Sequence, residues 1–169
     1  MNTPKTNHGR ILYICQAGMV AALYTVITCL VGAFDLASSA IQFRVSEALC
    51  ILPVFMPAAI PGLTIGCLLS NFILGGVWSD LVFGTIATLI GALGSYLLRK
   101  TTPWLVPIPT VVANTLIVPF VLKFGYYFED GIPFLMLTVG IGEFLSAYVV
   151  GMLLLLTLRK YGKRLFGNA

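Results

Sequence analysis

Charged side chains fall along this sequence at wide intervals, and the apolar runs between them set the elements. Residues 11–34, 48–79, 81–98 and 101–122 contain no Asp, Glu, Lys or Arg, and residues 131–158 contain only Glu143. A membrane-crossing helix takes about 20 apolar residues, so four of these runs read as one span each, while 48–79 is too long for one. That run holds Pro53, Pro57, Pro61 and Gly62. Proline removes a helix donor and biases the residue before it away from helix, so MPAAIPG (56–62) is expected to be a tight reversal between two helices. The pattern predicts a single membrane domain over residues 1–169, with six transmembrane helices at roughly 11–33, 40–56, 57–75, 78–99, 103–123 and 132–160. The second is short for a span and is expected to tilt or to begin before Gln42.

Composition agrees with this reading. At 59% hydrophobic and 9% charged residues the chain lies far outside soluble averages, and its fold class is an all-α integral membrane protein. Charge then sets the topology. With six spans and a cytoplasmic N-terminus, Lys5, Arg10, Arg99, Lys100, Arg159, Lys160, Lys163 and Arg164 fall inside, and only Arg44 and Lys123 fall outside. Five spans would put Arg99, Lys100 and the basic C-terminal tail outside. The expected product is a multi-pass cell-membrane protein with both termini cytoplasmic. The run 11–34 is longer than the ~7–15-residue core of a cleaved signal peptide, so it reads as a retained helix.

Several chemistries find no residues to carry them. Cys15, Cys29, Cys50 and Cys67 have no paired spacing and read as small buried hydrophobes, with neither a metal site nor a disulfide framework indicated. The single histidine, His8, lies in the polar tail, which removes His-based triads and zinc motifs. GSYLLRKT (94–101) has a P-loop outline, but Arg99 stands where the second glycine would admit phosphates. No catalytic residue, cofactor or metal is expected, and ATP-driven work would need another subunit.

Polar residues inside the apolar runs are the informative ones. A charge at the centre of a spanning helix costs about 2.5–3.5 kcal/mol on insertion scales. Glu143 lies about ten residues, near mid-bilayer, into the helix beginning near Pro133. Asn114 sits at similar depth in the preceding helix. The two either tie helices together or face a common ligand. Asn71 precedes GGVWSD (75–80), where paired glycines allow a sharp turn that presents Trp78 and Asp80 together. Trp78 is either an interfacial anchor or one face of a site for a flat polar ring.

In QFRVSEALCILP (42–53), Arg44 and Glu47 lie one helical turn apart at the outer mouth of the second helix. They form an intrahelical pair, or else Arg44 reaches a partner elsewhere while Glu47 turns inward. In the first helix, small residues recur at spacing four as Ala17 and Ala21, and as Gly18 and Ala22, a pattern that lets another helix approach closely.

Six helices in under 200 residues, cytoplasmic termini and the AxxxA face at Ala17 and Ala21 resemble the substrate-binding (S) components of energy-coupling factor (ECF) transporters. More narrowly, IQFRVSEALCILP and LLSNFILGGVWSDLVFGTIATLIGALGSYLLRK resemble the QueT family of queuosine-precursor transporters. The resemblance implies an ECF S-component-like bundle that captures a deazaguanine base outside the cell. Its expected partners are a transmembrane coupling protein and two ATPase subunits, docked through Ala17, Ala21, Gly18 and Ala22. A guanine-like edge presents an adjacent ring N–H and amine to one carboxylate, and a carbonyl to an amide or arginine. Glu143 and Glu47 are the expected carboxylates, with Asp80 in reserve. Asn114, Asn71 and Arg44 are candidate carbonyl donors, and Trp78 or Phe43 candidate covers for the ring. The competing readings are an S component for thiamine, biotin or riboflavin, and an autonomous small secondary transporter.

Overall fold

The computed structural model describes residues 7–33 and 44–165. Among them every regular element is helical: α1 (Asn7–Ala33), α2 (Val45–Val54), α3 (Ala59–Ile73), α4 (Asp80–Lys100), α5 (Pro103–Gly125) and α6 (Ile132–Tyr161). Four of them, α1, α4, α5 and α6, are long and apolar enough to cross a membrane, while α2 and α3 are shorter apolar helices. Successive helices run in alternate directions. Arg44, Asn71, Asp80 and Tyr126 therefore gather at one end of the bundle, and the opposite end carries Arg99, Lys100, Arg159 and Lys160.

The expected reversal is present: turns after Val54 lead into α3 at Ala59, where Pro61 falls in the first helical turn and costs no ladder bond. The second helix differs from expectation. It is a ten-residue 3-10 helix, and at about 2.0 Å per residue it spans only about 20 Å of a ~30 Å bilayer core. Its surroundings explain its apolar run. Ser46 to Pro53 are all buried, enclosed by α1, α3, α4 and α6, so this segment is the bundle's axis and not a lipid-facing span.

Small residues bring α1 and α3 together. A Cβ on Gly62 would stand 2.7 Å from the Ala17 carbonyl oxygen, and one on Gly66 would stand 2.9 Å from that of Ala21. Thr25 Oγ1 adds a 3.2 Å bond to the Gly66 carbonyl across the same seam. The backbones of Ala17, which is half-buried, and Ala21, which is buried, thus meet α3 within the bundle. Gly18 and Ala22, one position on, are exposed, and nothing lies within 4 Å of a Cβ built on Gly18. Below α1 and α3, Val20, Tyr24, Leu49, Ile51, Leu63, Cys67, Met152 and Leu155 form the main apolar core.

Two helices carry a wider turn. Residues Asp80–Gly84 of α4 and Phe144–Val150 of α6 are π-helical, which rotates the face that follows relative to a regular helix. The first segment opens on Asp80 and the second follows Glu143 directly.

Candidate ligand pocket

The helix ends opposite the basic residues enclose a pocket of about 320 Å³, lined by Thr28, Gly32, Arg44, Asn71, Leu74, Gly75, Gly76, Asp80, Leu122, Tyr126 and Phe128. That volume lies at the small end of the range for small-molecule sites, roughly 300–1,000 Å³. Gly75 has a φ of 72°, a left-handed conformation that glycine adopts without strain, and it turns the chain from α3 toward α4. At Gly76 a Cβ would sit 3.4 Å from the Tyr126 hydroxyl and 3.5 Å from Asp80 Oδ2, so glycine keeps the approach to both open.

Asp80 is the centre of this wall. Its Oδ2 accepts from Arg44 Nη2 at 3.2 Å and from the Tyr126 hydroxyl at 3.1 Å. Asn71 Nδ2 donates to the Asp80 backbone carbonyl at 3.3 Å, fixing the first turn of α4 against α3. Burial works against charge on Arg44, but Asp80 beside it holds the guanidinium above its ordinary pKa. Burial, and then the charge of Asp80, push the Tyr126 phenol up, so it stays a donor across physiological pH. The pocket therefore offers a carboxylate, a guanidinium, a carboxamide and a phenol around one small volume.

Of the two arrangements open from sequence, the structure has the second: Arg44 reaches Asp80, and Glu47 turns inward, where it meets side chains of the bundle. It is 1% exposed, lies outside the pocket lining, and does not pair with Arg44. Its Oε1 accepts from the Tyr24 hydroxyl and from Thr88 Oγ1 (3.2 Å), and its Oε2 accepts from the Cys50 thiol (3.2 Å). The carboxylate thus joins α1, α2 and α4 at the bundle's axis. Thr88 Oγ1 also lies 3.3 Å from Cys67 Sγ, which Asn71 Nδ2 approaches at 3.7 Å, so a polar chain runs from this hub to the pocket floor.

Glu143 and Asn114 lie deeper, each 3% exposed and neither in the pocket lining. They are neighbours, and Glu143 is within electrostatic reach of Glu47 and Arg44. Asn114 is the hydrogen-bonding neighbour of the Glu143 side chain, in a geometry too loose for a standard bond between Asn114 Nδ2 and Glu143 Oε2. The carboxyl and the carboxamide thus pair only loosely with each other in an apolar interior.

The remaining candidates are dispersed. Trp78 is 82% exposed and outside the pocket lining. Phe43 lies outside the described residues. Thr28, Tyr126 and Phe128 are pocket residues that the sequence reading missed. The only available signal was the aromatic run Tyr126, Tyr127, Phe128 beside Lys123 at a helix end. Among the described residues no group of three or more His, Cys, Asp or Glu could hold a metal ion.

A polytopic helical bundle with apolar helix faces, a small pocket holding polar groups at one end and basic residues at the other is the build of a membrane protein that handles a small solute. The QueT transporter family model matches residues 14–160, and the chain belongs to that family of transporters. A curated relative, the queuosine precursor transporter QueT of Lactococcus lactis subsp. cremoris (strain MG1363), is 40% identical over 77 residues. That match covers 46% of this chain and 45% of the relative's length. No solved structure matches the chain.

Proposed function

We propose that this protein is the substrate-binding component of an ECF-type importer, and that its pocket captures a queuosine precursor of the 7-deazaguanine class. The observation that carries this reading is the convergence of Asp80, Arg44, Asn71 and Tyr126 on one 320 Å³ pocket. Asp80 accepts the base's ring N–H and exocyclic amine as a pair. Arg44 and Asn71 supply donors for the ring carbonyl, and Tyr126 and Phe128 bound the ring. Glu143 and Asn114, only loosely paired with each other, form the inner polar pair toward which the ligand advances. The relative's name and the family match support the substrate class.

The energy comes from a transmembrane coupling protein and two ATPase subunits, in keeping with a sequence that offers no phosphate-binding loop of its own. The basic helix ends face the cytoplasm by the positive-inside rule, which puts the pocket on the outer side. Thermal unfolding of the purified protein with a panel of guanine, a 7-deazaguanine base, thiamine, biotin and riboflavin tests the substrate. A selective rise in apparent stability with the deazaguanine is expected, and a rise with a vitamin instead reassigns the site. Uptake into liposomes without any ATPase would reassign the protein as a secondary transporter.

The surface that meets the coupling protein is the Gly18 and Ala22 face of α1. Gly18→Trp is expected to abolish co-purification with the coupling subunit while ligand binding persists. Ala17→Trp, at the edge of the α3 seam, is expected to lower the yield of folded protein. Full assembly by Gly18→Trp removes this face from the interface.

A further inference from the structure

Lys123 is a lone cation in the last turn of α5, at the pocket end of the bundle. Its ammonium is not a free surface charge. The Nζ lies 3.0 Å from the carbonyl oxygen of Phe128, 3.1 Å from that of Glu129 and 3.1 Å from that of Asp130. An ammonium has three donors, and here three consecutive carbonyls meet them. The chain between is bent back over the helix end: Tyr126 N–H bonds to the Val121 carbonyl at 3.2 Å, and Phe128 N–H to the Leu122 carbonyl at 3.2 Å. Tyr127 between them takes a φ of 56°, the left-handed region that non-glycine residues seldom occupy.

This loop carries two walls of the pocket. Phe128 packs on the Val118, Leu122, Leu135 and Val139 cluster between α5 and α6 and also faces the pocket. Tyr126 places its hydroxyl on Asp80 Oδ2. A left-handed tyrosine followed by a tight return costs conformational energy, so the bend needs a fastening, and the Lys123 ammonium is the group that supplies it. Its location at a helix C-terminus adds a favourable interaction with the helix dipole.

We propose that Lys123 is a positioning residue of the ligand pocket: by gathering the carbonyls of residues 128–130 it holds the α5–α6 loop in the bend that sets Tyr126 on Asp80 and Phe128 against the ligand. The link to ligand rests on the deazaguanine reading of the pocket, but the effect on the loop does not. Among the described residues the other charged groups at this end are Arg44 and Asp80, paired with each other, and the exposed Glu129 and Asp130, whose backbones and not carboxylates meet Lys123.

The experiment is Lys123→Met in the full-length protein, read by hydrogen exchange without ligand and by binding of a 7-deazaguanine base. Amide exchange over residues 126–131 is expected to quicken at least tenfold while α3 and α4 keep their protection. The dissociation constant is expected to rise about tenfold, and to do so equally in dilute buffer and at high salt, where a long-range charge effect would be screened. Tyr126→Phe weakens binding in the parent but is expected to add less than twofold in the Lys123→Met background, because the hydroxyl is already misplaced. Unchanged loop exchange overturns the positioning role whatever the ligand is. Faster exchange with unchanged affinity, or fully additive losses, overturns the connection to the pocket. A parent protein that binds no deazaguanine overturns the ligand reading alone, and loop exchange still decides the role of Lys123. If the Met variant does not accumulate, Lys123→Gln carries the same measurements.

Discussion

Asp80→Asn is expected to weaken deazaguanine binding about 100-fold or more, which at about 1.4 kcal/mol per tenfold is a loss near 3 kcal/mol. The reason is chemical. A carboxylate accepts two parallel N–H donors, whereas a carboxamide presents one acceptor and one donor, and the donor faces a ligand amine. The substitution also takes away the counter-charge of Arg44, whose side chain is only 13% exposed, so part of the loss comes from an unpaired guanidinium that rearranges in the pocket. Isothermal titration in detergent or nanodiscs measures it, with Arg44→Gln/Asp80→Asn as the control that removes both charges. A dissociation constant within threefold of the parent for Asp80→Asn would exclude Asp80 as the primary acceptor and direct attention to Glu143.

Glu47→Ala should cost about 3–5 kcal/mol of stability and leave little folded protein. The truncation leaves a fully buried tyrosine hydroxyl, the Thr88 hydroxyl and the Cys50 thiol without their shared acceptor, at about 1–3 kcal/mol for each strong donor, and adds a cavity at the bundle's axis. Glu47→Gln keeps the shape and one acceptor, so it should fold with a lowered melting temperature. Its affinity for a deazaguanine should stay within a few-fold of the parent, because Glu47 lies outside the pocket lining. Thermal unfolding and ligand titration on the same samples separate the two effects. A folded Glu47→Gln protein that has lost binding altogether would return Glu47 to the ligand shell.

Glu47 and its neighbour Arg44 show where sequence reasoning reached and where it stopped. Arg44 and Glu47 were recognisable as unusual because charges are scarce in this chain, and their spacing of three made a mutual pair one of the natural readings. The fold separates them. Arg44 precedes the first turn of α2 and turns to Asp80 on α4, whereas Glu47 enters a segment buried on every side and is claimed by donors from α1, α2 and α4. The AxxxA pattern has a similar history: spacing revealed that α1 has a close-packing face, and only the positions of Gly62 and Gly66 decided that α3 occupies it.

By itself the sequence determined the membrane class, the succession of six helices, the reversal before α3 and the polar positions worth attention. Those follow from local physics: the length of apolar runs, the missing donor of proline and the cost of charge in hydrocarbon. Tertiary structure alone decided which polar atoms meet. The 3-10 winding of α2 and the π-helical turns of α4 and α6 change the angle between successive side chains, so a face counted at regular helical spacing points elsewhere after each of them. The pocket itself depends on Asp80, Arg44 and Tyr126, which are far apart in the chain, and on a lysine whose partners are backbone carbonyls that carry no sequence signature.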